Sequence, residues 1–173
     1  SVAEETGLID EIGRWVIKEA CRQLSGWRER LKGTFFASVK LSGRQLRDPS
    51  LVTSINDILA ATQLPGDALE LQVREASLID APREVRERLT ALRSVGVRIA
   101  IDDFGTGYSS LGLIRRMPFD CMKLDRSLIA DLYSDLGATG VTAAVVAMAR
   151  ALRICSVAEG IEDAATLDMI RSV

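Results

Sequence analysis

Apolar, strand-like stretches alternate with amphipathic helical stretches along nearly the whole chain, and this alternation restricts the folds open to it. The strand-like stretches are 34–41, 69–74, 97–101, 121–124 and 154–158. Helical spacing runs through Ile9, Ile12, Trp15, Val16 and Ala20, then through Leu51, Val52, Ile55, Ile58 and Leu59. It recurs at Val85, Leu89 and Leu92, briefly at Leu111, Leu113 and Ile114, at Val141, Val145, Met148 and Leu152, and over 164–170. Asp48 and Pro49 read as an N-cap and first-turn proline, Pro65-Gly66 as a break, Pro82 as a helix start and Gly96 as a helix end. Strands spaced by roughly 25–35 residues with helices between them build right-handed βαβ units and a parallel sheet.

Such units fit an open doubly wound sheet or most of a βα barrel. Strand parity favours the barrel. Leu69, Leu71 and Val73 share one parity, and Glu70, Gln72 and Arg74 the other. Lys40 and Ser42 alternate with Val39 and Leu41, as Lys123 and Asp125 do with Met122 and Leu124. A doubly wound sheet covered on both faces shows continuous apolar runs. Polar residues at strand C-terminal ends suit a barrel mouth, where active sites form. A solvent-exposed sheet face gives the same alternation.

With 173 residues, 47% hydrophobic and 27% charged, the chain fits one domain with a real core. A formal charge of −2 gives no reason to expect DNA or a membrane as partner. No apolar run is long enough to span a bilayer and no secretory signal is visible. Cys21, Cys121 and Cys155 are scattered and form no disulfide framework, so a reducing, cytoplasmic setting is expected. The chain has no His, which removes Ser-His-Asp triads, Cys-His dyads and imidazole-based zinc sites. Any metal would be hard and oxygen-ligated. Trp15 and Met148 read as packing residues, Trp27 as a surface residue and Cys155 as a buried strand residue. The stretch from Arg83 to Arg88 reads as a solvated helix face with local ion pairs.

The most specific run is Ile101-Asp102-Asp103-Phe104-Gly105-Thr106-Gly107-Tyr108-Ser109-Ser110-Leu111. Two adjacent carboxylates sit where a strand ends. Two glycines then free the backbone to turn, and Ser109 or Ser110 can cap a following helix. The residues alone leave two readings: a strand-to-helix loop whose Asp side chains hold backbone amides, or a site for a divalent metal or phosphate.

Taken together, the motifs resemble the EAL domain of cyclic di-GMP signalling proteins over residues 1–173. Ala3-Glu4-Glu5-Thr6-Gly7-Leu8-Ile9 is similar to the segment after the family's Glu-Ala-Leu motif. Val39-Lys40-Leu41-Ser42-Gly43-Arg44-Gln45-Leu46 is similar to its Asn-Leu-Ser motif, and Glu70-Leu71-Gln72-Val73-Arg74-Glu75 to its Glu-x-Thr-Glu motif. Asp102 through Ser110 matches its most specific string unchanged, and Lys123-Leu124-Asp125-Arg126 and Ala158-Glu159-Gly160-Ile161-Glu162 fit its Lys-x-Asp and Glu-Gly-x-Glu motifs. The resemblance implies an α/β, TIM-like (βα) barrel, incomplete in this chain. It also implies hydrolysis of one phosphodiester of cyclic di-GMP with magnesium or manganese.

By that resemblance, Asp102 and Asp103 would ligate metal. Lys123 would orient the attacking water or stabilise charge, and Glu159 would act as base or water-mediated ligand. Glu75, Asp125 and Glu162 would bind substrate or support the site, Glu75 by bracing the loop from Asp102 to Ser110. The chain departs from the pattern at Lys40, where Asn is expected as a metal ligand, at Gln72, where Glu is expected, and at Arg74, where Thr is expected. It also begins after the Glu-Ala-Leu strand and stops before the last βα unit. Three functions follow as expectations: a catalytically degenerate module that binds cyclic di-GMP or regulates, needing no metal; an active phosphodiesterase; or a protein-binding scaffold. A homodimer or other signalling domains are the expected partners, with further sequence or a neighbouring copy covering the barrel edges.

Overall fold

The computed structural model describes residues 2–79, 82–106, 111–130 and 136–172. A short helix α1 (Val2–Thr6) and a long helix α2 (Leu8–Leu31) lead into β1 (Ala37–Leu41), α3 (Gly43–Arg47), α4 (Leu51–Thr62) and β2 (Leu69–Arg74). Then come α5 (Pro82–Ser94), β3 (Arg98–Phe104), α6 (Leu111–Ile114) and β4 (Cys121–Leu124). These are followed by α7 (Ser127–Ala130), α8 (Leu136–Ala151), β5 (Cys155–Ala158) and α9 (Ala164–Ser172). The strands are ordered β1-β2-β3-β4-β5, the order of the chain, as repeated βα units require. Two units divide the chain, Ser1–Ile99 and Ala100–Val173.

In the first unit β1 and β2 pair in parallel, Ser38 beside Glu70 and Lys40 beside Gln72. Both faces of β2 are covered. Leu69, Leu71 and Val73 are fully buried on one, and Glu70 and Gln72 are buried on the other. A solvated sheet face, one source of the alternation in the sequence, is therefore ruled out for this strand. Two buried polar side chains need partners, because an unsatisfied polar group costs about 1–3 kcal/mol. Ser38 Oγ donates to Glu70 Oε1 at 2.7 Å, and Gln72 Nε2 donates to Ser38 Oγ at 2.5 Å. The Arg98 guanidinium lies 3.5 Å from Glu70 Oε2 and 4.6 Å over the Phe36 ring.

Helix α2 buries Gly13, Ile17, Cys21 and Leu24. The apolar stripe expected from Ile9, Ile12 and Val16 is one residue out of phase with this face, and Trp15, expected to pack, is 65% exposed. Gly13 sets the phase. A Cβ there would collide with the Gln45 amide group, so the helix approaches α3 most closely where the side chain is smallest. Gln45 is held by a capping box: Ser42 Oγ accepts from the Gln45 amide and Gln45 Oε1 accepts from the Ser42 amide. Helix α4 starts at Leu51, later than a first-turn Pro49 implies. Ser50, not Asp48, stands at its N-cap; Asp48 closes the turn before it, its Oδ1 accepting from the Ser50 amide at 2.8 Å. Burial pushes the Cys21 thiol up to about 11.

In the second unit β4 pairs with β3 and β5, both in parallel. Helix α8 buries Thr142 and Ala149, again one residue from the expected stripe, and Val141 is exposed. The Thr142 hydroxyl donates to the Leu128 carbonyl at 2.8 Å, which ties α8 to α7. Cys155, expected to be buried, is exposed, because β5 alternates exposed and half-buried positions. The expected cap at Ser109 or Ser110 lies outside the described residues.

Candidate functional site

Strands β3, β4 and β5 carry their polar residues to their C-terminal ends. Ala100 pairs with Cys121 and Ile101 with Met122, but Phe104 pairs with Leu124, so the register shifts in between. Asp102 and Asp103 thus stand against Lys123 alone. Such a bulge bends the strand and re-aims side chains, and it is common beside active sites. Asp103 takes a left-handed backbone (φ 54), a conformation Asp tolerates better than most residues. Its carbonyl accepts from the amide and hydroxyl of Thr106, which closes the turn. Asp102 is 1% exposed and Asp103 half-buried.

Lys123 Nζ lies 3.4 Å from Glu159 Oε1. The Glu159 amide donates to the Leu124 carbonyl at 3.1 Å, extending the β4–β5 ladder to the glutamate itself. Asp125 is bound at both ends: its amide donates to the Phe104 carbonyl, and its Oδ1 accepts from the Ser127 amide at 2.8 Å. The Ser127 hydroxyl and amide hold the Asp125 carboxyl below the usual carboxylate range. Glu162 is exposed in the loop after β5. Two left-handed glycines shape the surrounding loops. A Cβ on Gly105 (φ +104) would meet Leu128 Cδ1 at 2.5 Å, and one on Gly160 (φ +80) would meet Arg126 Cβ at 2.6 Å. The loops after β3 and β5 therefore both close on the segment after β4.

In the first unit, Lys40 is exposed at the end of β1 and stands in register with buried Gln72. Arg74 is exposed at the end of β2, and Glu75 is buried at the start of the 3-10 turn Glu75–Leu78. Lys40 and Arg74 line an open cavity of about 810 Å³. Ser38, Glu70 and Arg98 form a set that the sequence reading misses. Ser38 and Glu70 share the parity of Lys40 and Gln72, which is the available signal. Asp163 is missed too; its carboxylate accepts from the amide and hydroxyl of Thr166 and caps α9.

Among the described residues, no group of three or more Asp, Glu or Cys is placed to hold a metal ion. The Glu159 carboxylate faces the Lys123 ammonium. Protonated lysine offers no lone pair to a metal. Among the described residues, no helix is long and apolar enough to cross a membrane.

The family model for the EAL domain matches residues 1–173. The chain is 39% identical over 170 residues to the signaling protein YkoW of Bacillus subtilis, covering 98% of this chain and 21% of that protein. It is 39% identical over 172 residues to the bifunctional diguanylate cyclase/cyclic di-GMP phosphodiesterase MucR of Pseudomonas aeruginosa, covering 98% of this chain and 25% of that protein. The solved MucR phosphodiesterase, in complex with c-di-GMP, superposes with a TM-score of 0.93 at 37% identity, covering 99% of this chain and 69% of that one. The chain thus spans about a quarter or less of the curated relatives it matches.

Proposed function

The chain belongs to the EAL domain family, and from that premise we propose that it is a catalytically degenerate module that binds cyclic di-GMP and regulates through that binding. Its fold is the TIM-like barrel of EAL domains, here as five parallel strands with their helices. We propose that residues 1–173 belong to one EAL-like domain.

One observation carries the reading: Lys40 stands beside Gln72 in register at the C-terminal end of β1 and β2. A divalent ion about 4 Å from the Lys40 ammonium would be repelled by roughly 8 kcal/mol at an effective dielectric of about 20. Gln72 supplies no charge to offset this, and its Nε2 is committed to Ser38. EAL phosphodiesterases work with a metal ion, which lowers the pKa of bound water and neutralises phosphate charge. In this chain Asp102 and Asp103 keep the ligand positions of that chemistry. Lys123 and Glu159 keep the positions for orienting water and accepting its proton, and Asp125, Glu75 and Glu162 keep the supporting ones. At Lys40 and Gln72 the sequence departs from the family's motifs. The proposal extends to a cytoplasmic setting and to assembly with a second copy or other signalling domains.

Binding and turnover of cyclic di-GMP with magnesium or manganese, measured on the full-length protein, test this. Binding without turnover is the expected result, with turnover gained in Lys40→Asn combined with Gln72→Glu. Turnover by the unaltered protein overturns the degenerate reading in favour of an active phosphodiesterase. No binding at all leaves the scaffold reading.

A further inference from the structure

The second unit places two cysteines side by side. Cys121 begins β4 and Cys155 begins β5, and the two are direct partners in the parallel register. Direct partners in adjacent strands share one face of the sheet, with the strands about 4.8 Å apart. That spacing lies inside the Cα range of disulfide-bonded pairs, roughly 4.4–6.8 Å. Their surroundings differ: Cys121 is 2% exposed, whereas Cys155 faces solvent. The Cys155 thiol donates to the Ser156 carbonyl over 3.8 Å, a weak bond that it can give up by rotating. Lys123 lies two residues beyond Cys121 and Glu159 four beyond Cys155, so by the period of two all four share a face.

We infer that Cys121 and Cys155 are a site of reversible oxidative modification, a thiol pair that hydrogen peroxide converts into a disulfide between β4 and β5. The exposed Cys155 thiolate attacks one peroxide oxygen. The O–O bond breaks, Cys155 becomes a sulfenic acid, and the hydroxide released takes up the proton of the thiol as water. The Cys121 sulfur then attacks the Cys155 sulfur. The S–S bond forms, the S–O bond breaks, and the hydroxide leaves as water with the Cys121 proton. The two thiols lose two electrons in all, and the peroxide takes both. A reducing setting keeps such a pair as thiols and makes the disulfide transient. Side chains of direct partners stand off the sheet rather than toward each other, so the bond is strained, and strained disulfides are readily reduced. The bond would staple the two strands that carry Lys123 and Glu159, below that ion pair.

Hydrogen peroxide added to the reduced full-length protein, followed by alkylation of the remaining thiols and peptide mass spectrometry, tests this. The peptides of Cys121 and Cys155 are expected to be joined with the loss of two hydrogens, and dithiothreitol is expected to separate them. Cys21, buried on α2, is expected to stay a thiol. In Cys155→Ser, which alters an exposed side chain, oxidation of Cys121 is expected to fall by about tenfold, because solvent oxidant reaches a buried thiol slowly. In Cys121→Ser the Cys155 sulfenic acid loses its partner and is expected to accumulate, where dimedone traps it. Recovery of both cysteines as thiols after peroxide, a bond that forms only once the protein is unfolded, or Cys121 oxidation unchanged in Cys155→Ser overturns the inference.

Discussion

Each unit buries a carboxylate in its sheet, but in different surroundings. In the first unit Glu70 sits mid-strand in regular register, with the Ser38 hydroxyl at 2.7 Å and the Arg98 guanidinium at 3.5 Å. In the second, Asp102 and Asp103 sit where the register with β4 breaks and the backbone turns left-handed. Glu70 has the environment of a structural group, since hydrogen bonds and a countercharge offset its desolvation. Asp103 takes a left-handed backbone beside a register shift, a setting that costs of order 1 kcal/mol or more for a non-glycine residue. Glu70 and Asp102, two buried acids of similar exposure, therefore sit in different backbone settings, one regular and one at a register shift.

Removing Glu70 should give the largest effect. Glu70→Ala leaves the Ser38 hydroxyl and the Arg98 guanidinium without their acceptor inside the sheet. Ser38 is exposed and Arg98 36% exposed, so water takes up part of the lost contact and the cost is about 2–3 kcal/mol. Urea unfolding at pH 7 should show a loss of that size, while Arg98→Lys, which keeps the charge, should lose less. If Glu70→Ala were as stable as the parent, the structural reading of this group would fail.

The sequence makes the period of the helices legible but not their phase. In α2 the expected stripe of Ile9, Ile12 and Val16 lies one residue from the buried Gly13, Ile17, Cys21 and Leu24. In α8 the stripe of Val141 and Val145 lies one residue from Thr142 and Ala149. The cause is shared. Each face makes a close approach or a tie at a residue that hydropathy does not weight, Gly13 against Gln45 in α2 and Thr142 against the Leu128 carbonyl in α8, while Ile17 and Leu24 carry the apolar signal of the buried phase of α2. Strands are more legible: β2 and β4 follow from the sequence to the residue, because a period of two and flanking turn residues fix both ends. β3 runs past its expected end at Ile101 to Phe104, because a bulge carries the ladder through two acids that look like the start of a loop. Asp102 and Asp103 are legible from their string alone. The relay through Ser38, Glu70 and Arg98 is not, because it joins three strands by side chains that each look ordinary.

Glycines should sharpen the comparison with a sign. Gly160 has φ +80, and a Cβ there would meet Arg126 Cβ, an atom close to the backbone. Gly160→Ala should destabilise by about 2 kcal/mol through backbone strain and contact. Gly26 lies within α2, and a Cβ there would meet nothing within 4 Å. Gly26→Ala should stabilise by roughly 0.5–1 kcal/mol, since Ala loses less backbone entropy in a helix. Paired thermal melts would show shifts of opposite sign. A Gly160→Ala protein as stable as the parent would mean that the loop after β5 is softer than its packing implies, and a destabilised Gly26→Ala would overturn the helix-entropy expectation.

The smallest effect concerns two matching turns, Asp48-Pro49-Ser50 in the first unit and Asp125-Arg126-Ser127 in the second. In each, the aspartate Oδ1 accepts from the serine amide at 2.8 Å. Both carboxyls are held below the usual range, Asp48 by the Ser50 amide first and Asp125 by the Ser127 hydroxyl first. A lowered folded pKa fixes the sign. The stability each group contributes is complete above the unfolded value of about 3.9 and is lost as pH falls through the lower folded value. Asp48→Asn and Asp125→Asn should each flatten the fall in stability over that acid range and change little at pH 7. The two should part with salt. Asp48 also feels Arg14, 3.9 Å away, and Arg88, whereas Asp125 feels only its neighbour Arg126 as a minor cause. Added salt screens charges but leaves amide hydrogen bonds largely intact. The acid-range difference between parent and Asp48→Asn should therefore shrink with salt, and that between parent and Asp125→Asn should persist. Equal salt dependence in both would place the Asp48 effect in its turn alone.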